Sequence, residues 1–111
     1  MEIVSTGQWT AGDGNVTEIE GKEHGAAVTV LLEHMPPGRG PRLHWHPYGE
    51  TWVVVEGRVA FTNGEQTGEA SAGDVIYVAP EEHHKFTVLG ETRVKMVCIH
   101  QSPEFITHWL E

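Results

Sequence analysis

The chain has 111 residues, of which 39% are hydrophobic, so it is long enough to bury a core of its own as a single domain spanning residues 1–111. Its formal net charge of -9 opposes contact with phosphate backbones, so no nucleic-acid partner is expected. Cys98 is the only cysteine, which excludes an intrachain disulfide, and the N-terminus lacks a secretory signal pattern. We therefore expect a cytoplasmic protein that makes no membrane contact.

Glycine and proline clusters divide the chain into short segments rich in β-branched and aromatic residues, at spacings typical of an antiparallel sandwich or barrel. The predicted strands are Ala26 to Leu32, Thr51 to Val55, Arg58 to Thr62, Val75 to Val78, Lys85 to Leu89 and Arg93 to Ile99. In the tail, Ser102 is a candidate N-cap before Pro103, and Phe105 and Trp109 lie four residues apart, which predicts one short C-terminal helix. The expected fold class is otherwise all-β.

Alternation within the predicted strands indicates which side chains face the interior. Arg93 and Lys95 share one phase of their strand, and two charged side chains favour the solvent face for that phase. The same reasoning applies to the strand that follows His84, where Lys85 and Thr87 share the outer phase. The residues predicted to face inward are Val94, Met96, Cys98 and His100 from the later strand, and His84, Phe86 and Val88 from the earlier one.

Two imidazoles and a carboxylate fall within seven positions, at His44, His46 and Glu50. Histidines separated by one residue leave an extended strand by the same face, about 6.6 Å apart at a rise of about 3.3 Å per residue. Both could therefore reach one ion. The alternatives are that the histidines lie on an exposed loop, or that Glu50 forms an ordinary salt bridge with Arg42 or Arg58.

This cluster and the glycines that flank it resemble the first sequence signature of the cupin superfamily. The pattern runs Gly38, five residues, His44, one residue, His46, three residues, Glu50, six residues and Gly57, and it matches that signature at every fixed position.

The second cupin signature is matched in part. Gly73 and His84 stand at the expected spacing, so the position of the ligand histidine is kept. Three other positions depart from the pattern, with Ala79 at the usual proline, Glu81 at the usual glycine and Val88 at the usual asparagine. Together the two signatures span residues 38–88, and the turn before His84 is the part that departs from the family pattern.

The resemblance implies a small jelly-roll β-barrel that holds a divalent ion inside and forms a homodimer. By that resemblance the metal ligands are His44, His46, Glu50 and His84. Three imidazoles and one carboxylate suit Fe, Mn, Ni, Cu or Zn, and the ligand set does not distinguish among these ions. Strands that are apolar on both phases, such as Val75 to Val78, also favour a covered outer face and hence a homodimer.

The same fold serves many activities, so the chemistry must be inferred from the site. We expect a small-molecule substrate or ligand and, first, dioxygenase-like chemistry on an enolisable or phenolic compound. The alternatives are a metal-dependent isomerase or polyketide cyclase, and a sensor or storage protein that binds a small ligand without converting it. Glu50 and His100 are the candidate acid/base residues, although an inward histidine such as His100 is more often a hydrogen-bonded core or rim residue.

The remaining candidates receive structural predictions. His24, His83 and His108 are expected at the surface, and His34, beside Glu33, has an ambiguous phase and is not assigned. Cys98 is predicted to be a small buried hydrophobe near the metal. The aromatic side chains predicted to fill the barrel are Trp52, Phe61, Phe86 and Tyr77.

Overall fold

The computed structural model describes residues 1–12 and 15–111, and nearly all of its regular structure is β-strand. The described strands are β1 (Thr10–Ala11), β2 (Val16–Ile19), β3 (Thr29–Glu33), β4 (His44–Trp45), β5 (Glu50–Glu56), β6 (Arg58–Thr62), β7 (Thr67–Ser71), β8 (Val75–Val78), β9 (Lys85–Val88), β10 (Lys95–His100) and β11 (His108–Trp109). Short turns of 3-10 helix form at Thr6–Gln8 and Gly21–Glu23. No helix in the described ranges is long and apolar enough to cross a membrane.

The strands form antiparallel sheets whose order differs from the chain order. The larger sheet has six strands in the order β1-β2-β3-β10-β5-β8, and a second sheet has three in the order β7-β6-β9. β4 pairs with β11 as a separate ribbon. Because β10 lies between β3 and β5, strands far apart in sequence become neighbours, as in a jelly roll. This confirms the predicted all-β barrel.

The hydrophobic core lies between the inner faces of the two larger sheets. Trp52 and Met96 come from the six-stranded sheet and Val59 and Phe86 from the three-stranded one, and all four side chains are buried. The rings of Trp52 and Phe86 meet edge to face with their centroids 5.2 Å apart. The inward phases predicted for β9 and β10 are confirmed, since each of the following is buried: His84, Phe86, Val88, Val94, Met96, Cys98 and His100.

The prediction for Tyr77 is wrong, whereas Trp52, Phe61 and Phe86 do pack in or against the core. Tyr77 is 79% exposed, because it shares the outer phase of β8 with Val75, while the inner phase carries the buried Val78. β8 is apolar on both phases, so hydrophobicity alone does not distinguish its two faces.

The predicted C-terminal helix does not form. The segment after Ser102 runs through bends into β11, where Trp109 pairs with His44 and the N–H of Leu110 donates to the carbonyl of Leu43. Phe105 and Trp109 are four residues apart, a spacing that fits the two-residue period of an extended chain as well as a helical turn. Because β4 offers backbone partners to this segment, the extended conformation prevails.

The outward side of the six-stranded sheet carries two cross-strand rows of mostly apolar residues, which we call the outer apolar face. One row consists of Leu32, Val97, Val53 and Val75. The other consists of Val30, Ile99, Thr51 and Tyr77. All eight side chains are partly or largely exposed in the single chain.

Both glycines of the first signature have positive φ angles, +82° at Gly38 and +85° at Gly57. Gly57 connects β5 to β6, and a Cβ at this position would lie 2.8 Å from the carbonyl oxygen of Arg93. Glycine is required there for both reasons, because it tolerates positive φ and allows close backbone approach.

Candidate metal centre

The backbone brings the two sequence signatures together at one point. His44 begins β4, Glu50 begins β5, and His84 immediately precedes β9. His44 and His84 form an isolated antiparallel bridge, in which the N–H of each donates to the carbonyl of the other at 3.1 and 2.9 Å. This bridge fixes the second signature beside the first, even though the turn that precedes His84 departs from the usual pattern.

Four potential ligand atoms converge in the barrel interior. His44, His46, Glu50 and His84 each offer one atom, and these atoms all lie within 4.8 Å of one another. The four residues are between 2% and 6% exposed. The structure therefore brings together the complete predicted ligand set.

The hydrogen bonds of the three histidines fix where each ring carries its proton. Nδ1 of His44 lies 2.6 Å from the carbonyl oxygen of Arg42, Nδ1 of His46 lies 2.7 Å from that of Ile106, and Nδ1 of His84 lies 2.8 Å from that of Glu82. A carbonyl oxygen can only accept, so each Nδ1 donates a proton. In its neutral form each imidazole then presents the lone pair of Nε2, which is the state that a metal ligand needs.

The centre of the cluster contains acceptors that face one another. Oε1 of Glu50 lies 3.2 Å from Nε2 of His46 and 3.1 Å from Nε2 of His84. The first of these contacts does not have hydrogen-bond geometry, so Nε2 of His46 has no hydrogen-bond partner among the described residues although it is buried. The contact of His84 does have hydrogen-bond geometry, but with the proton of each ring on Nδ1 both nitrogens face the carboxylate as acceptors and repel it unless a cation lies between them. The residues present thus fit a divalent transition ion.

The charge states of two ligands also suit an ion. Burial alone would raise the pKa of Glu50, but the neighbouring imidazoles, that of His100 first, outweigh it and hold that pKa well below its ordinary range. Burial lowers the pKa of His44 to about 4, against the opposing effect of its hydrogen bond to the carbonyl of Arg42. Near pH 7 Glu50 is anionic and His44 is neutral, so protons do not compete with a metal for either.

The alternatives for the first cluster do not hold. Among the described residues, Glu50 forms its ion-pair contacts with histidines, whereas Arg58 pairs with Glu69 at 3.8 Å and Arg42 lies over the ring of Trp109 at 4.9 Å. His24, His83 and His108 are exposed, as the sequence predicts. His34, which the sequence left unassigned, is exposed as well.

His100 lies beside the ligand group and is only 1% exposed. Its Nε2 is 3.1 Å from Oε2 of Glu50, and its Nδ1 is 2.7 Å from the hydroxyl of Tyr48. The predicted inward orientation is confirmed, and its role as an acid/base residue stays a prediction.

A cavity of about 340 Å³ adjoins the ligands, a size at the lower end for small-molecule sites. Besides the candidate ligand Glu50, its wall combines aromatic rings with two further carboxyl groups, from Glu18 and Glu33. Burial and the neighbouring Glu20 raise the pKa of Glu18, and His100 partly offsets this. The aromatic residues of the wall are Trp52, Phe86, Phe105 and Trp109.

Several of these residues were not identified from the sequence. The alternation of Thr29, Leu31 and Glu33, all of which are buried, was an available signal that Glu33 rather than His34 faces inward. Glu18 lies on β2, which is not among the strands predicted from the sequence. Tyr48 carried no local signal, because its partners are 52 and 58 residues away in the sequence.

Cys98 is 1% exposed and lies near Glu33 and Glu50. Burial, followed by these two carboxylates, raises the pKa of the thiol well above its ordinary value. Since the thiolate is the reactive form, we expect Cys98 in the native protein to resist iodoacetamide at pH 8 for hours and to react fully once guanidinium unfolds the chain. Mass spectrometry measures both, and complete labelling of the folded protein within minutes would contradict this assignment.

Comparison with known proteins places this site in a family. A family model described as a cupin domain matches residues 31–100. An uncharacterized protein of Streptomyces coelicolor is 30% identical over 77 residues, which cover 69% of this chain and 72% of that protein. The polyketide synthase CurC of Streptomyces cyaneus is 34% identical over 73 residues, 65% of this chain and 47% of that protein. An uncharacterized protein of Methanocaldococcus jannaschii is 31% identical over 70 residues, and the match spans 56% of its length.

Solved structures share the fold. A deletion mutant of oxalate decarboxylase from Bacillus subtilis aligns with 96% of this chain and 31% of its own, with a TM-score of 0.84 and 19% identity. Another structure of that enzyme, described by its Mn(II) centres, aligns with 92% of this chain and 29% of its own, with a TM-score of 0.77 and 22% identity. Both signatures lie within residues 38–88, inside the matched region, and the chain belongs to the cupin family.

Proposed function

We propose that this protein is a metal-dependent enzyme with dioxygenase-like chemistry on a small enolisable or phenolic molecule. The observation that carries the proposal is the set of buried ligand atoms from His44, His46, Glu50 and His84 beside a cavity. When bound there, a divalent transition ion supplies Lewis-acid polarisation of substrate oxygens and, for Fe(II), Mn(II) or Cu(II), redox chemistry with dioxygen.

The residues of the cavity wall would select a small, flat molecule. The ring of Trp109 lies 5.0 Å from that of His44, and the ring of Phe105 lies 5.2 Å from that of His100. Aromatic surfaces beside the ligand group favour a planar substrate and exclude water from it. A phenol or the enol form of a dicarbonyl compound has this shape.

The same wall supplies groups that hold protons. Glu18, with its raised pKa, keeps its proton to higher pH than an ordinary carboxyl group, and Glu33 is buried at the cavity wall. A phenol or enol must lose a proton when it binds through oxygen, and a carboxylate in the cavity can accept that proton. Glu18 and Glu33 thus join His100 as candidates for proton transfer.

Two comparisons support this choice. The relative from Streptomyces cyaneus is named a polyketide synthase, and polyketides are rich in enolisable and phenolic groups. The oxalate decarboxylase of the same fold is described by Mn(II) centres, so Mn(II) is the first ion to test.

A second candidate is non-oxidative isomerisation or polyketide cyclisation. The two carboxyl groups of the cavity favour it, because proton transfer alone would then complete the reaction. A sensor or storage protein remains as the outcome in which a ligand binds and is released unchanged.

The experiment uses protein loaded with Mn(II) or Fe(II), freed of excess metal, and given catechol as the phenolic probe or acetylacetone as the enolisable probe. Dioxygen consumption that requires protein and probe, and that His84→Ala lacks, is the expected result. Deuterium exchange into acetylacetone without dioxygen would instead support the second candidate. Binding of either probe with neither reaction would contradict both enzyme proposals.

We further propose that the protein is a homodimer in which the outer apolar face is covered by a second copy. Val75 and Tyr77 are 46% and 79% exposed on this face, an unusual placement for large apolar side chains in one continuous patch.

Introducing a charge as Tyr77→Glu should halve the mass measured by sedimentation equilibrium. Thr87→Glu, on the outer phase of the three-stranded sheet, is the control that should leave the mass unchanged. A wild-type chain that sediments as a monomer at 100 μM would refute the proposal.

A further inference from the structure

One of the four histidines that surround Glu50 is held differently from the others. Nδ1 of each of the three ligand histidines donates to a backbone carbonyl. Nδ1 of His100 instead lies 2.7 Å from the hydroxyl of Tyr48. A hydroxyl can donate or accept, so this partner alone does not decide which nitrogen of His100 carries the proton.

The distances around Tyr48 favour one arrangement, and the contact of His100 with Glu50 decides it. The N–H of Ile106 donates to the Tyr48 oxygen at 3.1 Å, which uses one of its acceptor positions. The carbonyl of Ile106 is a distant acceptor for the hydroxyl proton, at 3.3 Å, and it already accepts from Nδ1 of His46 at 2.7 Å. The shorter distance favours donation of the hydroxyl proton to Nδ1 of His100, and in the neutral ring the remaining proton then lies on Nε2.

The opposite arrangement would be unfavourable on both sides of the ring. If Nδ1 of His100 carried the proton, the lone pair of Nε2 would face Oε2 of Glu50 at 3.1 Å, acceptor against acceptor. Both groups are buried, and His100 is not among the converging ligand atoms, so neither water nor an ion at that site would relieve the repulsion.

We propose that Tyr48 holds His100 with its proton on Nε2, which makes His100 a positioning residue for Glu50. Oε1 of Glu50 faces the ligand histidines His46 and His84, and Oε2 faces Nε2–H of His100. The His100 contact is off the axis of a well-formed hydrogen bond, so it acts chiefly through the attraction between the N–H dipole and the carboxylate.

The contacts among Tyr48, His100 and Glu50 do not depend on a bound metal, but the positioning role inferred from them rests on the proposed metal centre. Donors that contact a ligating carboxylate orient it, and their loss typically weakens metal binding by about 10-fold to 100-fold. Tyr48 and His100 would thus keep Oε1 of Glu50 directed at the ion.

The first test is the tautomer itself, read from long-range ¹H–¹⁵N correlation spectra of the metal-free protein with labelled histidine side chains. His100 should show the pattern of Nε2–H, and its signals are identified by their loss in His100→Gln. His44, His46 and His84 should show Nδ1–H. An Nδ1–H pattern for His100 would overturn the proposal, and no variant needs to fold for the wild-type result to count.

The second test measures Zn(II) affinity by competition with a chromophoric chelator. Tyr48→Phe removes one of the two contacts that favour Nε2–H, so it should weaken the tautomer preference of His100 and bind Zn(II) about 10-fold more weakly. Tyr77→Phe, which removes the hydroxyl of the exposed tyrosine, should match the wild type. Unchanged spectra and affinity in Tyr48→Phe would contradict the role of Tyr48. A wild type that binds no Zn(II) would contradict the metal centre, while the tautomer of His100 would still be decided by the first test.

Discussion

Replacing His44 by alanine is expected to weaken Mn(II) binding by at least about 100-fold, because it removes one of the four converging ligand atoms. At a Mn(II) concentration about 100 times its dissociation constant, the wild type should gain about 2.7 kcal/mol in unfolding free energy. His44→Ala should gain almost none under the same conditions. Thermal unfolding with and without Mn(II), together with isothermal titration, measures both effects.

Two further variants control this experiment. His83→Ala removes an exposed histidine next to a ligand and should keep the full Mn(II) response. His44→Gln removes the imidazole while filling more of its space, and it should lose the response as His44→Ala does. A His44→Ala protein that Mn(II) stabilises as strongly as it does the wild type would contradict the assignment of His44 as a ligand.

Replacing Trp52 by alanine is expected to lower the unfolding free energy by about 3–5 kcal/mol, the usual range for a large aromatic residue in a core. Trp52 is 2% exposed, and its ring contacts those of Phe86, Phe61 and His84 with centroids 5.2, 6.3 and 5.8 Å away. The change would remove the aromatic contacts between the two sheets and the ring that packs against the candidate ligand His84.

Urea unfolding followed by circular dichroism measures this loss, and Val55→Ala is the matched control on the same strand. Val55 is 43% exposed, so its truncation should change stability by no more than about 0.5 kcal/mol. Equal losses for the two variants would show that the layer between the sheets is not the main source of stability.

The ligand set could be predicted from the sequence because each of its parts has a local signature. His44, His46 and Glu50 lie within seven residues, and His84 is placed by its spacing and by the strand phase that also buries Phe86. The two-residue period of a strand and the turn residues that bound it depend only on neighbouring positions. They can therefore be recognised in the sequence without knowledge of the tertiary structure.

The groups that orient those ligands could not be predicted in this way. The carbonyl of Ile106 holds His46 across 60 residues, and the hydroxyl of Tyr48 meets His100 across 52. Every residue has a backbone carbonyl, so the residue type of Ile106 does not indicate this contact. No fixed sequence spacing relates a tyrosine such as Tyr48 to the histidine that it contacts. Such contacts depend on which strands become neighbours, and that is a property of the whole barrel.

The two structural predictions that were wrong have a common cause. The tail and β8 each carry apolar residues in patterns that fit more than one conformation or face. Phe105 and Trp109 fit both a helix and an extended chain, and Ile76 and Tyr77 are apolar on opposite phases. Tertiary pairing then decided the outcome, through β4 for the tail and through the register with β5 for β8.

The central claim is that one divalent transition ion binds inside the barrel to the four converging side chains. Anomalous diffraction at the manganese edge from crystals soaked in Mn(II) tests it most directly. The expected result is one strong peak per chain, in bonding contact with Nε2 of His44, His46 and His84 and with Oε1 of Glu50. Crystals that show no peak at this position, or peaks only at exposed side chains such as His83, would contradict the claim.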